Sequence, residues 1–336
     1  MELKRLEEIL QAIQHVRIGV VGDFCLDAYW HLDTGAPEHS IETGKPTHAV
    51  RAQRYFLGGA GNVVNNLIDL GAGSVHAFGV ISDDLFGREM LVLLNRRHVE
   101  AHGMLIQSND WDTPVYAKPY RGAVEQQRID FGRFNRIAEG TETQLINAME
   151  VALPTLDALI INQQLARGVC SSRIVGSLNG FAADFPAKIF VLDSRNRTEE
   201  FQGMICKLNT REAARVCGEA SGFAVEQLRH YAESIALRMQ KPVFITRSGQ
   251  GILVFDGKTF HTVPAVEIAG PIDPVGAGDT TVAAIAAAIA AGSTAEEAAV
   301  FANLTAAITV QKLQQTGTAS PMEIRALAVQ LHPPQS

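Results

Sequence analysis

Short, largely apolar runs recur along the chain at residues 16–21, 75–78, 159–161, 189–192, 243–246 and 252–255, and longer stretches with helical spacing separate them. Strands that are apolar throughout, without alternation, must be covered on both faces. The pattern therefore predicts an α/β fold with a mostly parallel central sheet between two layers of helices. Helices are expected over 62–70, 84–98, 143–153, 225–239, 280–291 and 295–312. Residues 1–13 set Glu2, Lys4, Arg5, Glu7 and Glu8 among apolar positions, which reads as an amphipathic surface helix and not as a signal peptide.

Two stretches break this rhythm. Residues 24–56 carry little helical periodicity, and 113–131 read as two extended runs joined by a turn at Arg121-Gly122. Both are assigned to a small accessory β-sheet. At the carboxyl edge of the main sheet, where open α/β folds bind ligands, such a sheet would act as a lid. With no internal repeat, low-complexity tract or linker, residues 1–332 are expected to form a single domain that carries these lid segments.

A net charge of −7 gives no uniform basic field, so nucleic acid is not an expected partner, although a local basic pocket for a phosphorylated ligand stays open. Cys25, Cys170, Cys206 and Cys217 form no CxxC pair, and no histidine cluster stands near them at zinc-ligand spacing; they read as reduced thiols. The longest apolar run, 282–291, is too short to span a bilayer, so no membrane partner is expected and the location is read as cytoplasmic.

The segment richest in chemistry is Asp273-Pro274-Val275-Gly276-Ala277-Gly278-Asp279-Thr280, which runs directly into an alanine-rich helix. Small residues at Gly276, Ala277 and Gly278 let backbone N–H groups approach an anion, and the helix N-terminus adds roughly half a positive charge. A phosphate fits such a site. An acidic residue in the same loop would repel it unless it had another task, and taking a proton from an attacking hydroxyl is one, which makes Asp279 a candidate base. The bland alternative is that Asp279 is an N-cap and Gly-x-Gly a packing device. A second cluster, Gly58-Gly59-Ala60-Gly61-Asn62, also precedes a helix; it suits close backbone approach to a polyhydroxylated ligand, with the Asn62 amide as donor and acceptor. A glycine-rich turn with a capping asparagine is the other reading.

Asp-Pro-x-Gly-Ala-Gly-Asp followed by Ala283 and Ala284 closely resembles the C-terminal signature of the PfkB/ribokinase family of carbohydrate kinases, and the Gly58 cluster resembles its N-terminal signature. The likeness runs from about Ile18 to Thr318. Val20-Val21-Gly22-Asp23, Leu26-Asp27 and Tyr29-Trp30 resemble the opening of the heptose-7-phosphate kinases in that family, as do Thr113-Pro114, Lys118 and Gln126-Gln127-Arg128-Ile129-Asp130-Phe131. The resemblance implies a ribokinase-like fold and transfer of the γ-phosphate of ATP to a sugar or sugar-phosphate hydroxyl, heptose 7-phosphate among the candidates. It implies a sugar site at Asp23, Asp27, Gly58, Gly59 and Asn62, with Lys118 and Arg128 of the lid available to a substrate phosphate. It places the nucleotide and water-held Mg²⁺ at Asn209 and Glu212, and further nucleotide contacts at Thr246, Gly249, Gly251 and Asn303. K⁺ is implied near Asp273, which also reads as a turn residue before Pro274. A homodimer through the lid is implied as well.

The chain departs from those relatives at Val64, where a small residue is usual. It has Asn162-Gln163-Gln164-Leu165-Ala166-Arg167-Gly168 in place of Asp-Tyr-x-Lys-Gly, and Asp193-Ser194-Arg195 in place of Asp-Pro-Lys. Around Glu42-Thr43-Gly44-Lys45 it does not follow their proline-rich pattern. A kinase for a ribose- or fructose-type sugar and a non-catalytic sensor on the same scaffold therefore stay open beside the heptose reading. A dinucleotide fingerprint fails at Val64 and Thr281, and no Walker motif occurs. No His-x-Gly-His element is present, so adenylyl transfer is not expected.

Overall fold

The computed structural model describes residues 1–35, 38–219, 223–313 and 316–331. Residues 36–37 of the first expected lid segment, and position 332 of the expected domain, lie outside the described residues. The chain opens with α1 (Leu3–Ile13), whose Leu6, Ile9, Leu10 and Ile13 recur at helical spacing and are all buried. It continues through β1 (Arg17–Gly22), β2 (Phe24–Leu32), β3 (Val50–Gly59), α2 (Ala60–Asp69) and β4 (Ser74–Ile81). Next come α3 (Leu85–Arg96), β5 (Glu100–Ile106), β6 (Val115–Arg121), β7 (Val124–Glu125) and β8 (Ile129–Phe131). The middle of the chain forms α4 (Glu139–Ala152), β9 (Ala158–Gln163), α5 (Ser172–Asp184), β10 (Ile189–Ser194), β11 (Ile205–Asn209) and α6 (Thr210–Val216). The last part holds α7 (Val225–Met239), β12 (Val243–Thr246), β13 (Ile252–Phe255), β14 (Phe260–Val263), α8 (Ala277–Ala290), α9 (Ala295–Thr309) and α10 (Pro321–Leu331).

The main sheet has nine strands in the order β14-β13-β12-β11-β10-β9-β1-β4-β5. Ile160 on β9 and Val20 on β1 face a core shared with the alanines of α8 and α9, while Ile161 and Val21 face a second core built on Leu145 of α4, Ile174 of α5 and Leu228 of α7. Both faces are therefore covered, which is why the strands read as continuous apolar runs. Pairing is parallel from β5 to β12, but β13 and β14 run antiparallel. The sheet is therefore mostly parallel, as expected, with an antiparallel edge at 252–255 and 260–263. Only residues 247–251 separate β12 from β13, far short of a crossover connection.

The expected helices are present with ends shifted by a few residues. The apolar pattern missed β5, β11, β14, α5, α6 and α10. β5 lies at the sheet edge with Glu100 and His102 in it, and β11 has Lys207 at its centre, so neither shows an uninterrupted apolar run.

A second sheet, in the order β3-β2-β6-β7 with β8 also on β6, gathers segments from both irregular stretches. Asp23 alone separates β1 from β2, so this sheet springs from the carboxyl end of β1. That end is a topological switch point: β1 connects outward to β4 on one side and lies against β9 on the other. Leu26, Ala28, Val115 and Ala117 of the small sheet are buried in the core. Asp27 pairs with Phe56 and Tyr116, and Tyr29 with Lys118, which puts those side chains on its opposite face.

Candidate active site

Gly276, the residue before α8, turns the chain into the helix with its left-handed backbone (φ 81°), and Asp279 falls in the first turn. Asp279 Oδ2 accepts a hydrogen bond from Asn62 Nδ2 at 2.9 Å, and Oδ1 accepts one from Gln164 Nε2 at 3.1 Å. Asn62 is held in turn. Asn66 Nδ2 donates to the Asn62 carbonyl at 2.9 Å, and Thr280 Oγ1 donates to Asn66 Oδ1 at 2.9 Å, so polar side chains lock α2 to α8 below the carboxylate. The alanine-rich face of α8 is what allows so close an approach. Burial pushes Asp279 up, Asn62 and Lys207 oppose it, and the nearby Asp193 and Asp27 carboxylates add to it, with a net value of about 6.

Asp279 opens on a cleft of about 300 Å³ between the small sheet and the strand ends of the main one. The small sheet contributes Asp27, Tyr116, Lys118 and Arg128. Lys118 Nζ lies 2.7 Å from Asp27 Oδ1. Burial works against its charge, but the Asp27 carboxylate outweighs that and leaves the ammonium with a raised pKa. Arg128 stacks over the Tyr116 ring at 4.5 Å and is held by Asp130 at 2.6 Å.

From the main sheet come Asp193, Arg195, Lys207, Asn209 and Glu212. Lys207 Nζ contacts both Asp193 oxygens, at 3.1 and 3.2 Å, in a buried pair. A Cβ built on Gly278 would lie 3.1 Å from that Nζ, so the ammonium sits directly against the glycine loop. Asn209 and Glu212 form a capping box at the start of α6: Asn209 Oδ1 accepts from the Glu212 N–H at 2.9 Å, and Glu212 Oε2 accepts from the Asn209 N–H at 2.8 Å. Burial raises the Glu212 pKa, with Lys207 opposing.

Of the positions singled out in the sequence, Asp279, Gly276, Gly278, Asp27, Gly59, Lys118, Arg128, Asn209 and Glu212 line this one cleft. Ala277 lies between the two loop glycines, and a Cβ on Gly58 would come within 2.8 Å of Asp27 Oδ2. Gly59 (φ 56°) must be glycine twice over, because a Cβ there would also sit 2.4 Å from the Asp23 carbonyl oxygen.

Others are placed differently. Asp23, implied as a sugar ligand, is buried at the end of β1, where its carboxylate accepts from the main-chain N–H groups of Gln164, Leu165 and Val169. Asn62 is likewise fully buried, and its amide donates to Asp279. Thr246 Oγ1 donates to the Leu208 carbonyl, and Asn303 donates to the carbonyls of Val263 and Pro264. Gly249 and Gly251 belong to the β12–β13 hairpin and are not among the cleft residues. Asp273 Oδ1 accepts from the Val275 N–H at 3.0 Å, the geometry of a turn before Pro274.

Gln164, Asp193 and Lys207 were missed as site residues. The one local signal was a lysine inside an apolar strand, five residues before Glu212. Among the described residues no cluster of three or more His, Cys, Asp or Glu could hold a metal ion directly. Separate carboxylates at Asp193 and Glu212 suit Mg²⁺ carried mainly by phosphate oxygens and water. The four cysteines are unpaired, as expected.

The model of the pfkB family carbohydrate kinase matches residues 24–170 and 190–324. The chain is 30% identical over 346 residues to the bifunctional protein HldE of Trichlorobacter lovleyi, covering 97% of this chain and 65% of that protein. It is 31% identical over 323 residues to the protein of the same name from Rhodospirillum rubrum, covering 94% of this chain and 62% of the other. The chain thus spans somewhat less than two thirds of these relatives. Among solved structures, Escherichia coli phosphofructokinase-2 in complex with potassium aligns with a TM-score of 0.76 at 19% identity, covering 94% of this chain and 99% of the other. Arabidopsis thaliana ribokinase complexed with ribose and ATP aligns with a TM-score of 0.69 at 17% identity, covering 93% and 98%. The shared fold is ribokinase-like. Among the described residues no helix is long and apolar enough to cross a membrane.

Proposed function

The chain belongs to the pfkB family of carbohydrate kinases, and on that premise we propose that it moves the γ-phosphate of ATP to a hydroxyl of a sugar phosphate, with Asp279 as general base. The observation that carries this reading is the Asp279 carboxylate, held by two amides in the first turn of α8, where it faces a cleft that also gathers Lys118, Arg128, Arg195 and Lys207 beside the carboxylates of Asp27, Asp193 and Glu212. Heptose 7-phosphate is the first substrate to try, given the resemblance of the opening and lid segments and the HldE relatives. The small sheet acts as the lid of a single domain, excluding water that would otherwise take the phosphate.

The attacking hydroxyl gives its proton to Asp279 while the N–H groups of Gly276, Ala277 and Gly278 and the Lys207 ammonium meet the charge on the transferring group. Arg128 and Lys118 face the phosphate that the sugar already carries. Asn209 and Glu212 would hold the nucleotide end and, through Glu212, water-held Mg²⁺, which would supply charge neutralisation on the phosphates. Thr246, Gly249, Gly251 and Asn303 act one layer back, fixing the backbone against which the nucleotide rests. Ile41, Val50, Val124 and Ile129 of the lid region are exposed apolar groups, and a second copy is proposed to cover them. A lone 36.3 kDa species in sedimentation at micromolar concentration would remove that dimer.

An ADP-release screen over sugars and sugar phosphates, heptose 7-phosphate included, tests the function. Turnover on a phosphorylated sugar supports it, and silence across the panel despite ATP binding favours a sensor. For the active substrate, kcat/KM should fall below pH 6 as Asp279 takes up a proton, standing about tenfold under its plateau at pH 5. A profile flat down to pH 5 would remove Asp279 as the titrating base.

A further inference from the structure

We propose that Gln164 is a positioning residue for Asp279 and that the buried Asp23 carboxylate is the anchor that aims it. The inference rests on reading Asp279 as the base, and it concerns how that base is held.

Gln164 follows directly on β9, at the switch point between β9 and β1. Its own N–H and that of Leu165 both donate to Asp23 Oδ2 at 2.7 Å, and the Val169 N–H donates to Asp23 Oδ1 at 2.9 Å. One carboxylate therefore closes the loop from 164 to 169 onto the end of β1. The closure is tight enough to need a glycine, since a Cβ on Gly168 would lie 1.9 Å from Asp23 Oδ1. The neighbouring Gln163 fixes the loop from the side. Its Oε1 accepts from Ser194 Oγ at 2.8 Å and its Nε2 donates to the Leu165 carbonyl at 2.8 Å. With the backbone at 164 held from below and beside, the Gln164 side chain reaches the cleft and donates from Nε2 to Asp279 Oδ1 at 3.1 Å.

An ionised carboxylate only accepts, so this contact orients the amide with Nε2 toward Asp279. Asn62 from α2 takes Oδ2, which leaves Gln164 in control of Oδ1. The charged groups around Asp279 are Lys207 from β11, Asp193 from β10 and Asp27 from β2. Lys207 is already paired with Asp193, and Asp27 with Lys118, so Gln164 and Asn62 are the neutral donors directly on the carboxylate. Losing one of the two weakens the charged form and frees the carboxylate to rotate away from the glycine loop.

The test is a titration of the full chain labelled with ¹³C at aspartate carboxyl carbons, with Asp279→Asn used to assign the Asp279 signal and thermal unfolding confirming that each variant is folded. Gln164→Met keeps the length and removes the donor; the Asp279 midpoint should move up by about one pH unit, and the acid limb of kcat/KM with it. Gln164→Glu should move it further, because two carboxylates at hydrogen-bond distance share a proton. Asp23→Asn removes the anchor and a buried negative charge together, so it is read as a cycle: its shift of the Asp279 midpoint should be more upward with Gln164 present than in the Gln164→Met background, and equal shifts in both would overturn the anchoring role. An unchanged midpoint in folded Gln164→Met and Gln164→Glu overturns the proposal, even if turnover drops, because a merely structural side chain would lower activity without moving the titration. If that happens while Asp279→Asn abolishes turnover, the base assignment stands alone. If Asp279→Asn turns over normally, the reading beneath both fails.

Discussion

Replacing Asp279 by asparagine should lower kcat by a factor of about 10² to 10⁴, the range that a positioned general base supplies, while leaving the KM for ATP nearly unchanged. The substitution keeps the size of the side chain and removes its charge and its ability to take a proton, at the cost of one of the two hydrogen bonds from Asn62 and Gln164. The acid limb of the pH profile should disappear with it, because the group that titrates near 6 is gone. The expected loss falls on turnover because Asn209 and Glu212, the proposed nucleotide end of the cleft, are untouched. Burst and single-turnover kinetics would separate that loss from a change in product release. A variant with normal kcat would mean that the hydroxyl is activated elsewhere.

The second large effect is expected at Lys207. Its ammonium and the Asp193 carboxylate are buried together beside Gly278. Breaking such a pair from one side leaves a charge stranded in the interior and costs about 3–5 kcal/mol. Lys207→Met should therefore destabilise the fold by that amount in denaturant unfolding. It should also cut kcat by roughly 10² to 10³, the usual cost of losing one preorganised electrostatic group at a transition state. Adding Asp193→Asn separates the two consequences. The double variant should recover most of the stability, since no uncompensated charge remains, and little of the activity, since no cation faces the glycine loop. Recovery of both together would show that Lys207 matters only to folding.

These two residues also mark how far the sequence could be read. The loop from Gly276 to Asp279 was legible because its chemistry is local: small residues, a helix start and a carboxylate occur within four positions. The strands buried on both faces were legible for the same reason, since Val20, Val21, Ile160 and Ile161 need no knowledge of their neighbours to look like core. Lys207 was not, because nothing in Ile205-Cys206-Lys207-Leu208 says that its partner lies across the sheet at Asp193. Side chains that act over long separations show their type in the sequence but not the direction in which they point. Asn62 looked like a ligand for hydroxyls, yet its partner is a carboxylate 217 positions away, brought to it by the packing of α2 on α8. Asp23 looked like a sugar acceptor, yet the loop from 164 to 169 uses its oxygens. Asn303 reaches a strand-end backbone in the same way. In each case the residue type was informative and the tertiary contact that decides its role was not encoded nearby.

The small sheet shows an intermediate case. Its two segments were found as breaks in periodicity, and their joining into one sheet follows from β2 pairing with both β3 and β6. What periodicity could not supply is that one face of this sheet turns Asp27, Tyr116 and Lys118 toward Asp279.

The central claim is that a sugar-phosphate hydroxyl attacks the terminal phosphate of ATP in front of Asp279. ³¹P NMR of the protein with ATP, Mg²⁺ and heptose 7-phosphate, or the best acceptor from the screen, follows both fates of that phosphate at once. The expected result is ADP together with a second phosphomonoester resonance on the sugar, growing in equal amounts. Consumption of ATP to ADP and free phosphate, with the sugar resonance unchanged, would contradict it.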